Sequence, residues 1–202
     1  MRKRWVLRLA LAFCVMAPAA GLAQAHSIDT ATSKLTVRAF KTGLFSGFAD
    51  NHEIEAPVTE GSVDEAAGHV KFAVDARRMK VLDPQMNPAR RQEVQERMLG
   101  PEVLDSTRFP QIAFESTSVE RSKGLYVVHG QLSLHGVTQP VVVSVRGENS
   151  RYMGKCTLKQ RDFGIAPISI AGGTVKVKDE LQIEFDIQTG PSAAPATAHA
   201  AR

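Results

Sequence analysis

Few residues in this chain could do chemistry, and none stands in a spacing that demands a reaction. Four histidines, His52, His69, His129 and His135, could hold a metal. None of them forms an H-x-x-x-H or H-E-x-x-H pair, which would put two imidazoles on one helix face, so no metal site is expected. His129 and His135 fall on the polar parity of their segment and read as solvent-facing. His135 also adjoins a tight turn and can hydrogen-bond it. His52, within Asp50-Asn51-His52-Glu53, is the histidine placed to reach the mouth of a barrel. Cys156 sits alone in a strand-like segment and reads as a small buried hydrophobe, not a nucleophile. No nucleophile elbow, phosphate loop, dinucleotide fingerprint or paired carboxylates occur, so catalytic residues and cofactors are not expected.

Two clusters remain that could bind something. Arg77, Arg78, Lys80, Arg90, Arg91 and Arg97 concentrate positive charge around one segment. They read as a solvated face partnered by Glu93 and Glu96; if they border a pocket, Arg77, Arg78, Arg90 and Arg91 are the candidates to hold an anionic head group. Gly43-Leu44-Phe45-Ser46-Gly47-Phe48 brings Phe45 and Phe48 together, either to plug one end of a core or to touch a ligand.

These clusters belong to a chain whose first 25 residues read as an export leader. Arg2, Lys3, Arg4 and Arg8 attend an apolar run from Trp5 to Met16, and Ala23-Gln24-Ala25 is an A-x-A cleavage site. The run is too short to anchor in a bilayer. Phe13 before Cys14 does not suit a lipobox. Cleavage would leave a chain starting at His26 in the periplasm. Loss of those four cations leaves 21 Lys+Arg against 21 Asp+Glu, so the mature chain is about neutral and has no general pull toward nucleic acid. With Cys14 gone, Cys156 has no intramolecular partner, and a hydrophobic core must supply the stability. Residues 26–189 suit one domain, and the Ala/Pro-rich 190–202 reads as a disordered tail.

Period-two alternation dominates that domain. Leu35, Val37 and Ala39 share one parity, as do Val70, Phe72 and Val74, then Ile112 and Phe114. The same holds for Val128, Leu132 and Leu134, for Val141, Val143 and Val145, and for Leu181, Ile183, Phe185 and Ile187. A further strand is expected within 152–165. Glu60-Gly61-Ser62, Ala67-Gly68, Ser122-Lys123-Gly124, His135-Gly136, Gly147-Glu148-Asn149 and Gly172-Gly173 read as turns. One segment departs from the pattern. Asn87 can cap a helix, Pro88 suits its first position and Gly100 its end, with Val94, Met98 and Leu99 as a narrow apolar stripe. This is an all-β chain: an antiparallel barrel of about eight strands with one helix against its side or mouth, a β-sandwich being the alternative.

Several stretches in order resemble the YceI-like family, periplasmic lipocalin-like proteins that bind polyisoprenoids. They are Ser27-Ile28-Asp29, Val103-Leu104-Asp105, Phe109-Pro110-Gln111-Ile112-Ala113-Phe114-Glu115-Ser116, then Gly130-Gln131-Leu132-Ser133-Leu134-His135-Gly136-Val137-Thr138. Arg161-Asp162-Phe163-Gly164-Ile165 and Asp179-Glu180-Leu181-Gln182-Ile183-Glu184-Phe185 complete the set. The resemblance covers roughly residues 27–189. It departs at Ala76 to Asp83 and the Arg-rich helix, where the family carries a Ser-Ile-x-Thr segment and an acid-rich helix start beside the ligand entrance.

The resemblance implies an isoprenoid lipid or quinone-like ligand held in a barrel by a protein that is not an enzyme. On the inward parity, the lining would be Val37, Phe72, Val74, Ile112, Phe114, Leu132, Leu134, Val143, Ile183 and Phe185, with Phe45 and Phe48. Two other readings stay open. A barrel filled by its own side chains would instead be an interaction module for a membrane electron-transfer or stress-response protein, or for a second copy of itself. A His52 converging with a buried acid on a cavity would favour a lipid-modifying enzyme.

Overall fold

A computed structural model describes residues 25–42, 51–170 and 175–192. Phe45, Phe48, the expected leader up to residue 24, the Gly172-Gly173 turn and residues 193–202 lie outside the described residues.

The described residues form twelve strands: β1 (His26–Ile28), β2 (Lys34–Thr42), β3 (His52–Glu55), β4 (Val58–Asp64), β5 (His69–Asp75), β6 (Lys80–Val81), β7 (Gln111–Ser122), β8 (Leu125–Leu134), β9 (Val137–Glu148), β10 (Arg151–Lys159), β11 (Ser169–Ile170) and β12 (Val175–Ser192). Every pairing is antiparallel, and β12 returns to pair with β2 and β1. The first three walls are each bent into two pieces, β1 with β2, β3 with β4, and β5 with β6. With β7, β8, β9, β10 and β12 they make a closed eight-stranded barrel. Along one edge the 18 residues of β12 pair with β2 through Lys176 to Asp186 and then with β1 through Thr189 and Ser192, while β10 lies along the other. The strand therefore enters by three residues the stretch expected to be tail.

The short connections obey local backbone chemistry. Lys123-Gly124, His135-Gly136 and Asn149-Ser150 all have positive φ at both positions, which matches the right-handed twist of the strands they join. Glu60-Gly61-Ser62 is not a turn. It lies inside β4, and Gly61 is there because a Cβ would stand 2.6 Å from Ile28 Cδ1 and 2.9 Å from Phe72 Cβ. The segment His52 to Val58 carries His52, Ile54, Ala56 and Val58 on one parity, an alternation that Pro57 and Gly61 obscure in the sequence.

The helix α1 (Pro88–Leu99) forms as its ends dictate. Asn87 accepts from the Ala89 N–H at 2.9 Å, Pro88 opens the helix, and the Gly100 N–H closes on Glu96 O at 2.9 Å. Gln95 ties the helix to the barrel. Its Oε1 accepts from Val81 N and its Nε2 donates to Met79 O, each at 2.8 Å, so one side chain satisfies the open edge of β6. Met98 is buried, and Val94 and Leu99 pack against the core.

Inside, aromatic rings lie over glycines. Phe114 stacks on Phe72 with ring centres 5.4 Å apart and covers Gly130 of the neighbouring strand. A Cβ at Gly130 would stand 2.4 Å from Phe114 Cζ and 2.7 Å from Glu115 O. Because one of those atoms is backbone, Gly130→Ala should destabilise the barrel by about 1–3 kcal/mol, read as a lower urea midpoint. An unchanged midpoint would mean that Phe114 turns aside at no cost.

Candidate functional site

The side chains do not fill the barrel. A cavity of about 1120 Å³ runs along it, far larger than the voids of a close-packed core. Its walls come from the inward parity of every wall strand: Leu35, Val37, Ile54, Phe72, Val74, Ile112, Phe114, Val128, Leu132, Val143, Leu158, Ile183, Phe185 and Ile187 among others. All ten described residues expected to line a ligand, Val37, Phe72, Val74, Ile112, Phe114, Leu132, Leu134, Val143, Ile183 and Phe185, stand on this surface. Several of them, Phe72, Ile112, Leu134, Val143 and Phe185, are only partly buried although they point inward, because the space they face is not occupied by other side chains.

The two ends of the cavity differ in chemistry. One end lies under the β4–β5, β7–β8 and β9–β10 turns. There the Tyr152 hydroxyl donates to Glu65 Oε1, the Tyr126 hydroxyl lies 3.5 Å from Glu65 Oε2, and Arg121 Nη2 meets the same oxygen at 3.3 Å. Burial and the Glu65 carboxylate together push the Tyr152 hydroxyl far above the ordinary tyrosine value. Glu65 thus ties a turn to three strands across this end. Its farthest partner, Tyr152, lies 87 residues along the chain, a grouping that no local pattern announces.

The other end lies beside α1. Arg90, Glu93, Val94, Glu96, Arg97 and Met98 of the helix line the cavity here with Lys41, His52, Gln160 and Lys176. The helix therefore lies across an end of the barrel and not along its side. Of the head-group candidates, Arg90 reaches the cavity, whereas Arg77, Arg78 and Arg91 do not. Arg77 is held outside by Asp75, with Nε and Nη2 on the two carboxylate oxygens at 2.9 and 2.8 Å, and this pairing lowers the Asp75 carboxyl below its usual range. Arg78 is exposed, and Arg91 Nη1 points at Asp83 O from 3.5 Å.

His52 does reach the cavity, and a buried acid meets it. Its Nδ1 is 2.7 Å from Asp83 Oδ2, and Asp83 Oδ1 accepts from Glu53 N at 2.8 Å. A histidine oriented from behind by a carboxylate can donate, accept or exchange a proton through its other nitrogen. His69 and His129 instead pair with Glu115 and Glu120 at the surface.

His135, expected to face solvent, is tied into the fold. Its Nδ1 meets Phe163 O at 3.1 Å, and its ring packs edge-on against Phe109 at 4.7 Å. Phe163 is 2% exposed, and Gln139 Nε2 donates to Asp162 O at 2.9 Å. The Phe109-Pro110, Leu134-His135-Gly136 and Asp162-Phe163-Gly164 stretches thus meet at one point and join three connections at the helix end. Their role is architectural.

Cys156 faces the cavity, and burial pushes its thiol up to about 11. A raised acid stabilises the fold below its unfolded value, near 9, and that contribution disappears as pH climbs through the folded value. Stability measured by urea unfolding should therefore fall between about pH 9 and 11. Cys156→Ala should flatten that fall, although Tyr152, raised for similar reasons, keeps part of it. An identical curve for the variant would show that the thiol is not desolvated by the barrel.

Comparison with known proteins adds lineage to this geometry. Residues 26–189 match the YceI-like domain. A UPF0312 protein of Vibrio cholerae (strain ATCC 39541 / Classical Ogawa 395 / O395) is 24% identical over 195 residues, 90% of this chain and 97% of that one. Another, from Vibrio cholerae strain M66-2, is 30% identical over 92 residues, 40% of this chain and 47% of its own, so there the match spans about half of the relative. Among solved structures, Burkholderia cenocepacia BcnA superimposes with a TM-score of 0.58 at 20% identity, covering 79% of this chain and 98% of that one. At that identity the likeness speaks for the fold.

Proposed function

This chain belongs to the YceI-like family, and from that premise we propose that it is an exported carrier holding one long apolar molecule, an isoprenoid or quinone-like lipid, along the barrel axis. The observation that carries the reading is the cavity of about 1120 Å³ with aliphatic and aromatic walls. Each methylene moved from water into such walls contributes ~0.8 kcal/mol, so a prenyl chain would be held without any dedicated polar group. The closed architecture favours a flexible, slender ligand, since each wall strand is hydrogen-bonded on both sides and the chamber widens little without breaking a ladder. Export rests on the leader. Cleavage after Ala25 would leave His26, the first residue of β1, as the new terminus and the whole barrel intact.

The interaction-module reading would be favoured by a core without a cavity or by an exposed apolar patch at Phe45 and Phe48; the barrel has a cavity, and those two residues lie outside the described ones. The reading of an enzyme acting on a lipid has one observation in its favour, the His52–Asp83 pair, but a polar pair at the end of an apolar chamber serves recognition equally well.

Farnesol titrated calorimetrically into the refolded, ligand-stripped protein should bind at one molecule per barrel. Val143 faces the cavity and is only half covered, so the ring of Val143→Trp would enter the chamber instead of the wall. That variant should keep the wild-type circular dichroism spectrum and lose tenfold or more in affinity. No heat from farnesol or a longer prenyl alcohol, or equal binding by the variant, would contradict the carrier reading.

A further inference from the structure

The end of the chamber away from α1 is crossed by side chains. Glu65 leaves the turn between β4 and β5, and Tyr152 stands on β10, with β7, β8 and β9 between them one way round the barrel and β1 and β12 the other. The Tyr152 hydroxyl donates to Glu65 Oε1, so this bond runs from one side of the barrel to the other. Tyr126 of β8 and Arg121 of β7 hold the second carboxylate oxygen at 3.5 and 3.3 Å. Both rings lie over Gly147 of β9, where a Cβ would stand 2.7 Å from Tyr126 Cε2 and 3.0 Å from Tyr152 Cδ1. They meet edge to face with centres 6.3 Å apart, and the Arg121 guanidinium lies 5.3 Å from the Tyr126 ring centre. The turn that carries Glu65 is fixed as well, since Ala67 N donates to Oδ1 of the buried Asp64 at 2.8 Å and Gly68 takes a φ of 64°. One step inside this bar stand Val63, Val70, Val119 and Val128, so the wall changes from aliphatic to polar within one layer.

We propose that this bar is a length stop: Glu65, tied across the barrel to Tyr126 and Tyr152, closes the chamber to the tail of an apolar chain and so sets the longest ligand the protein accepts. The inference rests on the carrier reading and adds a limit on the size of what is carried. The barrel does not need the bar for its own closure, because each wall is already hydrogen-bonded to both neighbours. Exposed side-chain pairs also contribute little to stability. A tail, in contrast, cannot pass without pushing hydrocarbon between Glu65 and its partners, which leaves a carboxylate and two hydroxyls facing an apolar chain. The chamber behind the bar is finite. From Tyr126 to Leu134 its β8 wall runs about 20 Å along the axis, at about 3.3 Å per residue and a tilt of about 40°. A chain gains affinity with each unit that finds apolar wall, up to the length that fills about 1120 Å³. Beyond that length the surplus has to displace α1 from the other end, and affinity falls.

The test presents farnesol, geranylgeraniol, solanesol and dolichol, isoprenoid alcohols of rising length, together on cyclodextrin to the ligand-stripped protein. Native mass spectrometry reads which of them are bound. Occupancy of the wild type should rise along the series, peak, and stand at least tenfold lower for dolichol than at the peak. Glu65→Ala removes the bar from the turn side and should raise the share of dolichol, relative to the alcohol the wild type prefers, by about tenfold. Tyr152→Phe keeps the ring over Gly147 and deletes the hydroxyl that crosses the barrel. It should move the share in the same direction, and it serves as the second route should Glu65→Ala fold poorly. Glu65→Gln still offers an oxygen to Tyr152 and should keep the wild-type profile. A wild type that takes dolichol as readily as its peak alcohol, or a profile unchanged in both Glu65→Ala and Tyr152→Phe, would overturn the length stop while leaving the carrier reading intact. Failure of every alcohol to bind would overturn the carrier reading itself.

Discussion

The pairing of β12 with the first wall, β2 and then β1, is the constraint on which the rest of the molecule depends. Without Leu181 to Asp186 facing Ala39 to Lys34 of β2, and Thr189 and Ser192 facing Ile28 and His26 of β1, the sheet would have two free edges and no interior. Closure turns period two into a division of labour, since each residue then faces either the chamber or the outside. Outside, charges answer one another across strands. Lys155 and Arg38 share Glu184, Arg38 also meets Glu53, and Arg151 holds Asp186 below its usual carboxylate range. Exposed pairs of this kind contribute little to stability. They keep the outer face soluble while the inner face remains apolar.

Closure also explains why polar groups concentrate at the ends of the cavity. The middle of the chamber is walled by strands whose backbone groups are spent on ladders, so only apolar side chains face inward there. Polar groups can enter where strands give way to turns. At one end Glu65 ties two tyrosines and an arginine together. At the other, α1 sets Arg90, Glu93 and Arg97 beside His52. The barrel thus has a polarity along its axis that no single strand possesses.

What the sequence showed and hid follows from the range of each interaction. Alternation is local, so the inward positions from Val37 to Phe185 were legible residue by residue, as were the helix caps at Asn87 and Gly100. Gly61 misled because a glycine in a strand looks like a turn until the Ile28 side chain and the neighbouring strand that crowd it are known. The solvent-facing reading of His135 failed for a similar reason, although its structural role as a hydrogen-bonding group beside a turn is what the fold shows. Its parity is polar, but its partners Phe109 and Phe163 come from connections 26 and 28 residues away. The pairing of His52 with Asp83, 31 residues apart, left no trace in spacing, and the same holds for the clamp that Gln95 places on β6. The Arg-rich segment looked like one patch in sequence. In space the turn after β5 sends Arg77 outward to Asp75, while the helix sets Arg90, itself exposed, at the rim of the cavity.

The central claim is that the chamber holds a single apolar chain, and native mass spectrometry of the protein purified gently from its host tests it most directly. The account predicts a mature chain carrying one lipid, released on mild activation at a mass that fits an isoprenoid. Bare protein in repeated gentle preparations, from cells in which such lipids are abundant, would contradict it.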